Sequence, residues 1–225
     1  MRKFIVDHKY DCLKYLFINT RTTKDRILIS AESLFAEKGF HAISIRAVAS
    51  KASVNVAAIN YHFYDLESLL KEILVRRLRA VNTIRLAALG EAEARSQPMA
   101  AAPAEVLRIM AWALFVPSDD PMEYNRYSRC VLGRLLLEPF PHRDEILTHE
   151  FEPAMARFAQ ALRRSAPRLT PADFMWRFSL IVGALHHSLA TLHEMKSLTR
   201  GLCADNDHAT ALEAFVAFAT RAMGA

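Results

Sequence analysis

Between Ser44 and Phe63 the chain reads SIRAVASKASVNVAAINYHF. Asn60 carries a donor and an acceptor that match a base edge, and the Tyr61 hydroxyl suits a phosphate oxygen. Asn55, Val56 and Ala57 share a helical face with them and are small enough for close approach to a duplex. That is chemistry for reading double-stranded DNA. The chain offers little to catalysis: HExxH, GxSxG, Gly-rich phosphate loops and paired Cys ligands are all missing. His186 and His187 would point about 100° apart on a helix, so they cannot share one metal. His149-Glu150 and His193-Glu194 lack a second His at metal spacing. No catalytic residue, cofactor or metal site is expected, and an enzyme on a helical bundle is the weaker alternative.

The elements that must position these residues are short. Ser44 caps a helix to about Lys51, Ala52-Ser53-Val54 make a tight turn, and Asn55 caps a second helix from about Val56 to His62. Two such helices are each too short to hold alone. They need Ile45, Val48, Val54, Ile59 and Phe63 to share a core with Phe35 and Phe40. The arrangement describes a helix-turn-helix, although a helical corner in an ordinary bundle has the same pattern. Ahead of it, Thr22-Thr23 open a helix with an Ile27, Leu28, Ala31, Leu34, Phe35 stripe, closed by Gly39. Behind it, Asp65 caps a long helix to about Leu89.

Residues 23–70, from "ILISAESLFAEKGF" through "SIRAVAS" and "INYHF" to "DLESLL", resemble the DNA-binding domain of TetR-type (TetR/AcrR) transcriptional repressors. The resemblance implies an all-α fold: a three-helix helix-turn-helix domain joined by a fourth helix to a carboxy-terminal ligand-binding and dimerisation domain. It divides the chain into an extension (1–22), the DNA-binding domain (23–68) and the second domain (69–225). It implies that Thr23, Ser44, Arg46, Tyr61 and His62 lie near phosphates and that Asn55 caps the recognition helix. Val56, Ala57, Ala58 and Asn60 would face the major groove. Two positions depart from the family pattern. Leu66 stands where many members have a phosphate-binding Lys, and Ser53 where the turn usually has Gly.

Composition agrees with a helical globular protein: 225 residues, 52% hydrophobic and 24% charged. Long segments carry 3.6-residue periodicity, and strand alternation is missing. Residues 1–90 hold fifteen Lys+Arg against eight Asp+Glu, a balance of +7, and the remainder carries −2. A basic first part suits a polyanion, although a solvated surface has the same composition. Cys12, Cys130 and Cys203 are too scattered for a disulfide framework and fit a reducing cytoplasm. The longest uncharged apolar run, Phe178 to His193, falls short of the roughly 20 residues a membrane span needs. Charges from Asp7 to Lys14 interrupt any signal-peptide core. A cytoplasmic protein without a membrane partner is expected.

Farther on, residues 91–104 read as a connection. Helices follow at about 104–116, 122–137, 143–165 (broken or kinked at Pro153), 170–192 and 207–223. Trp112, Phe115, Tyr127, Met175, Trp176, Phe178 and Val182 are either plain core or the lining of an apolar cavity, with Arg129, Arg134 and His186 as polar anchors. The text from Val131 to Pro139 and from Phe174 to Ala190 is similar to fatty-acid-responsive TetR-type members. That similarity implies a small hydrophobic effector, fatty-acid-like ligands included, that releases the repressor from a palindromic operator. A constitutive DNA binder without effector is the alternative. Helices 170–192 and 207–223 are the expected homodimer interface, the latter through Ala209, Leu212, Phe215, Val216 and Ala219. The same stripe would also serve to close the monomer core.

Overall fold

The structure, a computed structural model, describes residues 22–115, 122–205 and 207–224, and the side chains of all of these except 122–126. The expectations for the amino-terminal extension and for Cys12 lie outside the described residues. All regular elements described are helical.

The first helix, α1 (Thr23–Lys38), starts where the Thr22 hydroxyl accepts the Asp25 N–H at 3.1 Å. It ends at Gly39, whose φ of 81° lets its N–H reach the Phe35 carbonyl at 3.0 Å. Then come α2 (Ile45–Ala52), α3 (Val56–Phe63) and α4 (Leu66–Ser96). The long helix outruns its expected end at Leu89. Residues 91–96 are mostly good helix formers and bury Ala92, so the connection shrinks to residues 97–102.

The second half holds α5 (Pro103–Phe115), α6 (Met122–Arg134), α7 (Arg143–Ile146), α8 (Glu152–Ser165), α9 (Pro171–Thr191), α10 (Met195–Leu198) and α11 (His208–Ala222). α6 stops at Arg134, three residues before the expected end. The break expected at Pro153 is a π turn over Leu147–Phe151. Pro153 offers no N–H to the carbonyl four residues back, and the Glu152 N–H bonds Leu147, five residues back. The short α10 was not anticipated.

One hydrophobic core runs through the described residues. α1 packs on α2 and α4, and also on α6, so the first three helices are held both by α4 and by the second half. α6 crosses α9 so closely at Gly133 that a Cβ there would overlap the Ala190 backbone. α11 lies along α5. The stripe Leu212, Phe215, Val216 and Ala219 is therefore spent inside the monomer, with Phe215 facing Phe115, while Ala209 is exposed. The four buried residues are not an interface surface. The exposed large apolar side chains of the two expected interface helices are Met175, Trp176 and Leu180 on α9 and Phe218 on α11.

Candidate nucleic-acid interface

The helix-turn-helix forms as its local chemistry dictates. Ser44 Oγ accepts the Ala47 N–H at 3.2 Å, and Asn55 Oδ1 accepts the Ala58 N–H at 2.7 Å, so each short helix has a satisfied first turn. Val48 and Ile59 are fully buried, and Phe35, Phe40 and Phe63 complete the small core against which Ile45 and Val54 lean. Ser53 takes the left-handed conformation (φ 54°, ψ 50°) that a glycine would take without penalty. Asp65 Oδ1 accepts the Ser68 N–H at 2.7 Å, which holds its carboxyl below the usual range and opens α4.

With the apolar side inward, α3 presents Ala57, Asn60 and Tyr61 to solvent. Tyr61 is 85% exposed, its ring 5.1 Å from that of the half-buried His62. Val56, Ala58 and Thr23 are half-buried. Ser44, Asn55 and Arg46 are exposed, and Arg46 makes no ion pair among the described residues, unlike Lys24, which meets Glu72 at 2.7 Å. One exposed residue was not anticipated. Tyr64, 83% exposed, follows Ala57, Asn60 and Tyr61 on the same helical face. Its spacing signals this, but it caps α3 at φ 69°, past the helix end.

The side chains expected to line an effector cavity separate into groups. Phe115, Phe178, Val182 and His186 are buried, and Trp112 and Tyr127 are half-buried. Met175 and Trp176, 56% and 72% exposed, stand on the outer face of α9 and do not join the interior set. Trp176 lies two residues, about 200°, around α9 from Phe178 and so faces away from it. Arg129 Nη1 donates to the Phe115 carbonyl at 3.1 Å and lies 3.2 Å from the His208 ring. Arg134 pairs with Glu138 at the junction with α1 and is not aimed into the second half. His186 Nδ1 donates to the Leu132 carbonyl at 2.9 Å, and burial brings this imidazole down to about 4, so it is neutral.

Two buried arginines on α4 were also not anticipated. Arg77 grips Glu32 of α1 through two bonds of 2.7 and 2.6 Å, both side chains almost fully buried. Arg85, 2% exposed, donates through Nε to Asn82 Oδ1 at 2.9 Å and through Nη1 to the Met110 carbonyl at 3.3 Å. The signal lay in the spacing: both stand on the stripe of Ile73, Leu74, Leu78 and Leu89, where a charged residue must be buried. Among the described residues no group of His, Cys, Asp and Glu could hold a metal, and no helix is long and apolar enough to cross a membrane.

The comparisons with known proteins agree with this geometry. The family model described as "Bacterial regulatory proteins, tetR family" matches residues 27–73, and "Tetracyclin repressor-like, C-terminal domain" matches residues 113–222. Over 53 residues the chain is 43% identical to "Probable HTH-type transcriptional regulator YttP" of Bacillus subtilis, covering 24% of this chain and 26% of that one. Over 54 residues it is 32% identical to the HTH-type transcriptional regulator UidR of Escherichia coli strain K12, covering 24% and 28%. These matches span only about a quarter of either relative's length. Among solved structures, the TetR family transcriptional regulator PfmR from Thermus thermophilus superposes with a TM-score of 0.60 at 22% identity, over 90% of this chain and 96% of that one. A tetR-family regulatory protein from Rhodococcus RHA1 gives 0.64 at 21% identity, over 91% and 98%. At such identities the superpositions speak for the fold alone, and the function rests on the helix-turn-helix and on the two family models that flank α4 and α5. On those grounds the chain belongs to the TetR family of transcriptional regulators, which are DNA-binding proteins and not enzymes.

Proposed function

We propose that the protein is a repressor that binds a palindromic operator as a homodimer and is released by a small hydrophobic effector held in the second half. The observation that carries the reading is the open face of α3. Ala57, Asn60, Tyr61 and Tyr64 lie free of packing on a helix whose opposite side is locked into a core. Val56, Ala57, Ala58 and Asn60 reach base edges, and Thr23, Ser44, Arg46, Tyr61 and His62 meet phosphates. Asn55 holds the start of the helix.

Dimerisation uses the outer faces of α9 and α11, where Met175, Trp176, Leu180 and Phe218 form an apolar surface too large to be left in water without reason. Two-fold symmetry places two recognition helices about 34 Å apart, or a multiple of that, on successive half-sites. Effector binding releases DNA only by favouring a dimer arrangement in which those helices no longer match the groove spacing. α4 is suited to transmit this, since it begins at the helix-turn-helix, is tied to α1 through Arg77–Glu32 and carries Arg85 into the second half.

The test is selection of bound sequences from random duplexes, followed by fluorescence anisotropy at two salt concentrations. A palindromic site and a steep loss of affinity with salt are expected, because phosphate contacts release counterions. Affinity indifferent to salt would exclude the proposed contact surface.

A further inference from the structure

The guanidinium of Arg85 lies inside the protein without a counter-ion. It makes two hydrogen bonds, to a side-chain amide oxygen and a backbone carbonyl, and no ion pair among the described residues. The other buried arginine of α4, Arg77, is matched by Glu32. An unpaired buried charge is one of the least favourable arrangements in a protein interior. Burial alone draws Arg85 down to about 10, and no neighbouring carboxylate offsets it. Nη2 donates no hydrogen bond among the described residues. The surroundings are polar on one side and apolar on the other. Asn82 holds Nε and is itself fixed by its bond to the Glu150 carbonyl in the π turn at 2.7 Å. The ring of Phe158 lies 5.5 Å from the guanidinium. Buried His186, whose protonated form the Arg85 charge disfavours, stacks edge-on with Phe151 at 5.4 Å.

We infer that Arg85 is the anchor of an anion site and that the effector is a carboxylic acid with an apolar body, its carboxylate paired with the guanidinium. This rests on the reading of the protein as an effector-controlled regulator and narrows its hydrophobic effector, fatty-acid-like ligands included, to an acid held by Arg85. A carboxylate accepts two parallel N–H bonds from a guanidinium. It neutralises the guanidinium beside buried His186, whose imidazole stays neutral because burial disfavours its charged form first of all. The site also touches the elements that meet the DNA-binding half. Arg85 belongs to α4, and His186 bonds α6, which packs on α1. Filling the site therefore acts on both supports of the helix-turn-helix at once.

The experiment uses the full chain and its Arg85→Met and Arg85→Lys variants, followed by thermal unfolding with hexanoate, octanoate, decanoate and decanol. Without ligand, Arg85→Met is expected to melt at or above the wild-type temperature, because it removes a buried uncompensated charge while keeping an apolar side chain of similar length. A purely structural arginine would give a lower melting temperature, which overturns the proposal. Decanoate should raise the wild-type melting temperature by several degrees and decanol should not reproduce it. In Arg85→Met the decanoate affinity should fall about 10- to 100-fold, and Arg85→Lys should keep part of it. Equal protection of wild type and Arg85→Met, or no protection of wild type by any of the three acids, also overturns the site. Operator binding by Arg85→Met separates the two readings. If it persists while the acids do nothing, the anion site fails and the regulator stands. If neither protein binds any duplex while decanoate still protects only the wild type, the site stands and the regulator reading fails.

Discussion

Glu138 Oε2 accepts the backbone N–H of Phe40 at 2.8 Å, across 98 positions of sequence. The same carboxylate pairs with Arg134, the neighbouring Phe140 ring lies 5.1 Å from that of Phe40, and the Pro139 carbonyl meets His41 Nε2 at 2.6 Å. The end of α6 and the turn after it thus hold the loop between α1 and α2, so the second half grips the helix-turn-helix where the chain is not covalently continuous.

Glu138→Ala leaves the Phe40 N–H and Arg134 without their shared partner. A part-buried donor left unsatisfied costs about 1–3 kcal/mol, and urea unfolding should show a loss in that range. Effector-induced release of operator should weaken too, since one of the two links between the halves is cut. Unchanged stability together with unchanged induction would rule out this contact as a link.

Ser53 sits in a left-handed conformation that costs an L-residue roughly 1–2 kcal/mol, against about 0.5–1 kcal/mol of extra unfolded-state entropy for glycine. Ser53→Gly should therefore stabilise the protein slightly, by about 0.5 kcal/mol. Operator sequence preference should not move, because Ser53 is in the turn and not on the open face of α3. Chemical denaturation with paired operator titrations reads both.

Asn60→Ala and Tyr61→Phe should differ in kind. Losing the amide relaxes preference at one operator position by roughly 1–3 kcal/mol. Losing the phenol hydroxyl weakens all duplexes about equally, because a phosphate contact carries no sequence information. Binding of each variant to single-substitution operators distinguishes them, and matching profiles would mean that α3 is turned differently in the groove.

Trp176→Asp and Phe218→Asp should give folded monomers that lose the operator, as sedimentation and circular dichroism can establish together. Phe215→Asp should instead unfold the chain, since its ring packs 6.2 Å from that of Phe115 and is only 6% exposed. A folded Phe215→Asp monomer would place the interface on the face assigned here to the core.

His186 and His208 are both drawn down to about 4, His186 by burial and then the Arg85 charge, His208 by burial and then Arg129. A histidine whose folded pKa lies below its unfolded value of about 6.5 takes up protons first in the unfolded chain. Its contribution is complete above that value and is lost as pH falls towards 4. Unfolding free energy should drop by about 1.4 kcal/mol per pH unit in this window for His186, with a smaller share from the less buried His208. His186→Asn should flatten the profile. An unchanged slope in that variant would assign the pH dependence to other groups.

The DNA-binding half was legible because its determinants are local. Ser44, Asn55 and Asp65 cap helices by bonds to their own first turns, Gly39 ends α1 through its own backbone, and the spacing of Val48, Ile59 and Phe63 says which side faces in. All of that is written within a few residues of where it acts. The second half depends on which helix covers which. Periodicity showed that Phe215 and Trp176 lie on apolar helices, but only the packing of α11 on α5 turned Phe215 inward, and only the packing of α9 on α6 left Trp176 in solvent. Arg85 and Glu138 make the same point. A charged residue on an apolar stripe announces burial. Whether it meets a counter-ion, as Arg77 meets Glu32, or only neutral oxygens, as Arg85 does, is decided by the packing of the helices around it. Long-range contacts of this kind leave no spacing signal, because the distance between their residues along the chain bears no fixed relation to their distance in the fold.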